Sequence, residues 1–141
     1  TRQEQQEKMA QMEKEAKAIL DDLKIDIDPR QTVGDLPVSK QQMVEIAKAL
    51  SRDARILIMD EPTAFIDYPS KIELFSLMKM LTKERKKTII FSSHDLELLL
   101  RYTDDLWIIS KNKELIQGKK DELLNKGIVK EYFNLKENIV I

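Results

Sequence analysis

The chain has 141 residues, of which 42% are hydrophobic and 35% charged, and its 24 basic and 25 acidic residues leave a net charge of −1. This composition is typical of one globular domain with its own core, and it excludes an intrinsically disordered chain. The balanced charge gives no reason to expect nucleic acid as a partner, the lack of cysteine excludes disulfides and thiolate metal sites, and no apolar run reaches the roughly 18 residues of a membrane-spanning helix.

The first 23 residues are rich in strong helix formers and predict a helix. Its apolar residues recur at three- and four-residue steps, which predicts one face packed against its own domain: Met9, Met12, Ala16, Ile19, Leu20 and Leu23. A coiled-coil seam would show the same pattern, but two heptads are too few to support one. Because the polar start lacks an initiator methionine and a signal peptide, we expect the chain to be a piece of a longer protein.

After an irregular connection, helices and strands alternate. A second helix begins at Ser39, and its buried side is predicted to hold Val44, Ile46, Ala47 and Leu50. Strands are predicted at 56–59, 88–91, 106–109 and 114–117, and helices at 70–84, 96–100, 120–125 and 128–133. Lys111–Lys113 is predicted to be a hairpin turn between the last two strands. The uninterrupted apolar run at 56–59 is typical of a strand covered on both faces. The pattern predicts an α/β fold with a mostly parallel sheet in residues 53–141, preceded by a helical portion in residues 1–52.

Two acids and the only histidine of the chain stand at strand ends, where open parallel sheets bind ligands. Asp60 and Glu61 follow the first strand, and His94 follows the second. In phosphoryl transfer, one acid at such a place holds Mg²⁺, its neighbour orients or deprotonates water, and an imidazole can contact a phosphate oxygen. Taken singly, the acids could be solvated turn residues before Pro62, and His94 could be a structural histidine. Their combination predicts that the three groups converge on a phosphate site.

In this order of motifs, the sequence resembles the nucleotide-binding domain of ABC-type ATPases over essentially the whole chain. The resemblance implies a partial P-loop NTPase fold with a helical subdomain segment. Ile56–Pro62 resembles the Walker B strand of that family. By this match, Asp60 is implied to hold Mg²⁺ through water and Glu61 to be the catalytic base.

Two further segments resemble motifs of the same family. Thr63–Asp67 resembles the D-loop, which implies that Asp67 contacts the opposite ATPase subunit. Ser92–Asp95 resembles the switch region, which implies that His94 senses the γ-phosphate.

The segment Leu36–Gln42 lies where the family has its signature, Leu-Ser-Gly-Gly-Gln, and departs from it. Pro37 replaces the serine whose hydroxyl would reach the γ-phosphate, and it also lacks an N–H. Side chains replace both glycines, which allow close approach of the backbone to phosphate, and a lysine replaces the glutamine. A loop that merely caps the following helix is the alternative. The resemblance implies a degenerate, weakly ATP-binding signature that is formed by Pro37, Val38, Ser39, Lys40 and Gln41.

The 141 residues contain no Walker A loop, which needs two glycines five residues apart before Lys and Ser or Thr. The three glycines are Gly34, Gly118 and Gly127, and no segment resembles the Q-loop of the family either. The implied cofactors, ATP and Mg²⁺, are therefore expected only together with a missing phosphate-loop segment. Whether the chain is an enzyme by itself stays open.

The resemblance divides between two groups of importers. The N-terminal part resembles ATPases of monosaccharide importers, and the part from about Asp60–Ala64 onward resembles ATPases of iron-siderophore or cobalamin importers. A mosaic origin, natural or engineered, is a hypothesis suggested by this change. The segments concerned are Asp26–Arg30 and Gln41–Leu50 for the first group, and Pro62–Asp67, Leu106–Ile109 and the tail near Glu137–Ile139 for the second.

The resemblance implies the C-terminal portion of an ATPase that couples ATP binding and hydrolysis to solute import. Implied partners are a second ATPase domain, identical or different, and transmembrane permease subunits, at the cytoplasmic face of the cell membrane and without nucleic acid. One alternative is an ABC ATPase that acts on nucleic acid or ribosomes, for which basic or coiled-coil inserts are expected and none is visible. Another is a non-catalytic piece that self-associates through exposed strand edges and apolar patches.

Overall fold

A computed structural model describes residues 1–133, so the tail near Glu137–Ile139 lies outside the described residues. The chain divides into two compact units, Thr1–Ser93 and His94–Ile141. This division differs from the motif-based one into residues 1–52 and 53–141, which stays a prediction. Every helix in residues 1–133 is too short or too polar to cross a bilayer.

The first unit consists of three α-helices and a pair of parallel strands. The elements are α1 (Arg2–Asp22), α2 (Val38–Ser51), β1 (Ile56–Met59), α3 (Tyr68–Lys83) and β2 (Thr88–Phe91), with a short 3-10 helix, Val33–Asp35, before α2. β1 pairs with β2 in parallel, from Ile56 opposite Thr88 to Met59 opposite Phe91. Their carboxyl ends therefore lie at the same edge, which is the arrangement predicted for the acidic residues after β1.

The second unit consists of short helices and an antiparallel hairpin. Its described elements are α4 (Leu96–Tyr102), β3 (Asp105–Ile109), β4 (Leu115–Lys119), α5 (Lys120–Asn125) and α6 (Ile128–Tyr132). β3 and β4 pair in antiparallel fashion, as the hairpin prediction required, although β4 begins and ends slightly later than predicted. The described residues thus form one parallel and one antiparallel strand pair, and the α/β class is confirmed.

The core of the first unit depends on α3. Leu74 and Leu81 are fully buried, and Phe75, at 1% exposure, packs edge-on against Phe91 of β2 with ring centroids 5.3 Å apart. Such an aromatic pair adds to the burial of apolar area and ties the helix to the strand. On α2, Met43 is buried, a position that the sequence prediction missed.

Other predicted core positions are less buried than expected. Ile46 and Ala47 of α2 are buried as predicted, whereas Val44 and Leu50 are only half-buried. In α1, only the C-terminal end packs: Leu20 is buried, but Met9 is 63% exposed. The prediction of one packed face is therefore wrong for the first half of α1, because no element of the described chain covers that half.

The prediction that β1 is covered on both faces is also wrong. Leu57 is buried, while Ile56 and Ile58 on the opposite face are 59% and 77% exposed. Successive side chains of a strand point to opposite faces, so one face of β1 packs on the unit and the other carries bare isoleucines. An apolar run therefore predicts a strand, but it does not predict whether both faces of that strand are buried. Burial depends on which other elements pack against each face.

Candidate functional site at the carboxyl end of the parallel strands

The two acids after β1 are linked to the residue that follows β2. The Ser92 backbone N–H donates to the Met59 carbonyl oxygen over 3.1 Å, which extends the strand pairing by one bond. The Ser92 hydroxyl donates to Asp60 Oδ1 over 2.5 Å and accepts from the Glu61 backbone N–H over 2.9 Å. One side chain directly after β2 thus contacts both acidic residues after β1.

The backbone turns sharply at Glu61. Its φ of 45° lies in the left-handed region, which costs a residue with a side chain roughly 1–2 kcal/mol. The turn closes with a 3.0 Å bond from the Ala64 N–H to the Glu61 carbonyl oxygen, and it is followed by two buried residues, Pro62 and Thr63. The surrounding contacts hold Glu61 in this conformation, as is common at functional sites.

His94 is exposed and is the first residue of the second unit. The next residue, Asp95, caps α4: its Oδ1 accepts from the Leu98 N–H over 3.3 Å. This cap explains why α4 begins at Leu96. The role of His94 as γ-phosphate sensor, and its convergence with Asp60 and Glu61, stay predictions based on the motif.

Asp67 is the N-cap of α3. Its Oδ2 accepts from the Ser70 backbone N–H over 3.1 Å, and hydrogen bonding from Ser70 lowers the pKa of the Asp67 carboxyl below its usual value. Nearby, Phe65 is 99% exposed and also has a left-handed φ, of 60°. The carboxylate of Asp67 thus has a structural role within the chain. Its contact with an opposite subunit stays a prediction.

The cap makes the stability of the chain depend on the charge of Asp67. A lowered folded-state pKa means that the contribution is full above the unfolded-state value and is lost as pH falls through the folded-state value. We expect Asp67→Ala to lower the thermal midpoint by about 5 °C at pH 7. That difference should shrink in acid, where the carboxylate of the wild-type cap becomes protonated and loses its charge.

Asp67→Asn is the matched control, because asparagine caps helices without titrating. Thermal unfolding followed by circular dichroism between pH 7 and pH 2 measures all three proteins. A difference between wild type and Asp67→Ala that persists unchanged at pH 2 would contradict the assignment of the cap.

The degenerate signature segment forms the N-terminus of α2. Pro37 is the N-cap and provides no side-chain cap, although its carbonyl oxygen accepts from the Gln41 N–H over 3.0 Å. Val38 is exposed, whereas Ser39 is only 4% exposed. The hydroxyl of Ser39 is thus enclosed by the unit itself, which does not favour a contact with a phosphate in solution.

The two polar side chains that follow also have partners within the chain. Lys40 Nζ lies 2.7 Å from Glu73 Oε1 on α3, and the Lys40 side chain is largely covered. Gln41 Nε2 donates to the Leu36 carbonyl oxygen over 2.8 Å. Glu73 was not singled out from the sequence, and nothing local signals it, since it lies 33 residues after Lys40. These contacts agree with a segment that binds phosphate weakly.

A complete metal site is not present in residues 1–133: they contain no cluster of three or more acidic, histidine or cysteine side chains that could hold an ion. Mg²⁺ commonly takes one or two protein carboxylates and completes its shell with waters and substrate phosphates. Asp60, with one carboxylate fixed at the end of β1, fits that partial role. It does not fit a site built from protein ligands alone.

Comparison with known sequences identifies relatives. The family model described as "ABC transporter" matches residues 1–64, which run from α1 through the turn after β1. The galactose/methyl galactoside import ATP-binding protein MglA of Escherichia coli K12 is 46% identical over 98 residues. The match covers 70% of this chain but only 19% of MglA, so the chain spans about a fifth of that relative. It confirms the resemblance of this chain to monosaccharide-importer ATPases.

Solved structures share the fold. A transporter assigned to the metal-chelate ABC type, in an inward-facing conformation, matches with a TM-score of 0.76 at 21% identity, over 85% of this chain and 47% of that one. At this identity the likeness shows the fold alone. A dimeric ATP-binding cassette in a post-hydrolysis state, bound to ADP and Pi, matches with a TM-score of 0.59 at 25% identity, over 73% of this chain and 44% of that one. The chain thus spans about half of each solved relative.

Proposed function

We propose that the chain belongs to the ABC transporter ATPase family, to whose family model and import ATP-binding proteins it is similar. In this proposal it is the C-terminal portion of a subunit that couples ATP binding and hydrolysis to solute import. The observation that carries this proposal is the corner after β1, by which we mean Asp60, Glu61 and the Ser92 side chain that hydrogen-bonds to both. Two acids on the rigid end of a strand suit the positioning of a metal-bound phosphate and an attacking water.

In this proposal, the acids act on a nucleotide that a phosphate-binding loop holds. Asp60 would orient a water of the Mg²⁺ shell, and Glu61 would accept a proton from the attacking water. His94 would donate a hydrogen bond to the γ-phosphate. ATP and Mg²⁺ supply the substrate and the charge neutralisation that phosphoryl transfer needs. The signature residues Pro37 to Gln41 would contribute little to ATP binding, because Lys40 and Gln41 already have partners within the chain.

The import role and the partners are inferred from the relatives. MglA is an import ATP-binding protein, and a solved relative is a dimer bound to ADP and Pi. We infer that the working protein pairs with a second ATPase domain, with Asp67 facing it, and that it docks on permease subunits at the cytoplasmic face of the membrane.

A second candidate is favoured by exposed apolar strand faces. Ile58 of β1 and Ile109 of β3 are each 77% exposed, and Trp107 of β3 is 61% exposed. Bare apolar strand surface promotes association between chains. We propose that the chain by itself self-associates, with or without nucleotide.

The decisive test is titration with Mg²⁺-ATP of the chain alone and of the chain mixed with a segment that carries a Walker A loop. We expect weak binding and no turnover for the chain alone, and binding with hydrolysis for the mixture. Light scattering on the same samples measures self-association. Steady turnover by the highly purified chain alone would contradict the need for a second segment. An inactive, non-binding mixture would contradict the ATPase proposal, and a monomer at all concentrations would contradict self-association.

A further inference from the structure

We propose that Ser92 is a positioning residue for ATP hydrolysis, which orients the carboxylate of Asp60 and fixes the backbone at Glu61. This inference rests on the proposed ATPase function and deepens it. The family motif directs attention to His94, two residues later, whereas the hydrogen bonds of the corner converge on Ser92.

The geometry assigns each part of the Ser92 hydroxyl a separate task. Its hydrogen is given to Asp60 Oδ1 over 2.5 Å, a short bond of the kind that a charged acceptor makes. Its oxygen accepts the Glu61 N–H over 2.9 Å. The backbone of Ser92 is itself held by the 3.1 Å bond to the Met59 carbonyl oxygen. The hydroxyl is therefore held at the end of β2 and bonds to the turn after β1.

These two bonds restrict the groups that hydrolysis would use. With Oδ1 bound to Ser92, rotation of the Asp60 carboxylate is restricted, so the direction of Oδ2 is set as well. The bond to the Glu61 N–H stabilises a residue whose φ of 45° is unfavourable for any side-chain-bearing residue. Without it, the backbone of Glu61 could relax toward an ordinary conformation and carry its carboxylate away from the attacking water. Small displacements of that kind cost much of the rate in phosphoryl transfer.

The test compares Ser92→Ala with Ser92→Thr, which keeps a hydroxyl, and with Ser76→Ala, which removes an exposed hydroxyl from α3. Amide hydrogen exchange at Glu61 is measured in the chain alone, after circular dichroism has shown that each variant is folded. We expect Ser92→Ala to speed exchange of the Glu61 amide by about tenfold, because the amide loses its acceptor. Ser92→Thr and Ser76→Ala should leave that rate near the wild-type value.

The same variants are then assayed in the mixture with the Walker A segment. We expect Ser92→Ala to lower kcat by about tenfold and to raise the Mg²⁺ concentration needed for half-maximal rate, with KM for ATP unchanged. Ser92→Thr should restore both values. A purely structural serine would not change the Mg²⁺ dependence. If Ser92→Ala leaves both exchange and kinetics unchanged, the proposal is wrong. A wild-type mixture that is inactive contradicts the proposed function and the catalytic role of Ser92 with it, whereas faster Glu61 exchange in Ser92→Ala still establishes the hydrogen bonds.

Discussion

Glu61→Gln is expected to reduce ATP hydrolysis by about 10²–10⁴-fold in the mixture of this chain with a Walker A segment. Glutamine keeps the size of the side chain and its capacity for hydrogen bonding, but it cannot accept a proton from water. Nucleotide binding should therefore be retained, since the lost interaction belongs to the transition state. The measurement is a pair of assays on one sample: phosphate release under saturating Mg²⁺-ATP, and equilibrium binding of ATP.

Glu131→Gln is the matched control, because Glu131 is an exposed glutamate on α6 that has no part in the proposed site. Its hydrolysis rate should equal that of the wild type. Loss of ATP binding together with hydrolysis in Glu61→Gln would indicate a structural role for Glu61 at its left-handed position. A full rate in Glu61→Gln would show that another group is the base.

Phe75→Ala is expected to lower the free energy of unfolding by about 3–5 kcal/mol. Phe75 is 1% exposed, lies among the fully buried residues of α3 and packs edge-on against Phe91 of β2. Removing the ring leaves a cavity between helix and strand and also removes the aromatic pair. Because the stability of a domain is only about 5–15 kcal/mol, this variant should be marginally folded. Urea unfolding followed by circular dichroism measures the change.

Phe65→Ala makes the same substitution at a surface position. Phe65 is 99% exposed, so its removal should change the free energy of unfolding by less than about 0.5 kcal/mol. Equal losses in the two variants would contradict the assignment of the core. A selective loss in Phe75→Ala should also weaken the corner after β1, because Phe91 directly precedes Ser92 in the chain.

Local features of the sequence were enough to locate the elements. The apolar spacing of α2 and α3 and the runs of β1 and β2 gave bounds that agree with the structure to within one or two residues. The hairpin of β3 and β4 followed from its turn, with strand bounds that differ from the predicted ones by one or two residues. Helix and strand periodicities are set within a few residues of chain, which is why a single sequence carries them.

Burial was predicted less well than secondary structure. Met9 and Ile58 are apolar residues at positions where the pattern predicted a packed face, yet both are well exposed. Periodicity shows which residues share a face, but coverage depends on other elements lying against it. For α1 and β1, no described element covers the face in question.

The sequence by itself determined the α/β class, the order of the motifs and the placement of Asp60 and Glu61 at the end of a strand, because these depend on neighbours along the chain. The tertiary structure decided which side chains meet. Ser92 reaches Glu61 from 31 residues away and Glu73 reaches Lys40 from 33 residues away, since parallel pairing and helix packing bring distant segments together. No spacing rule encodes such contacts, so the hydrogen bonds of Ser92 to the acidic residues and the ion pair of Lys40 with Glu73 form only once the chain is folded.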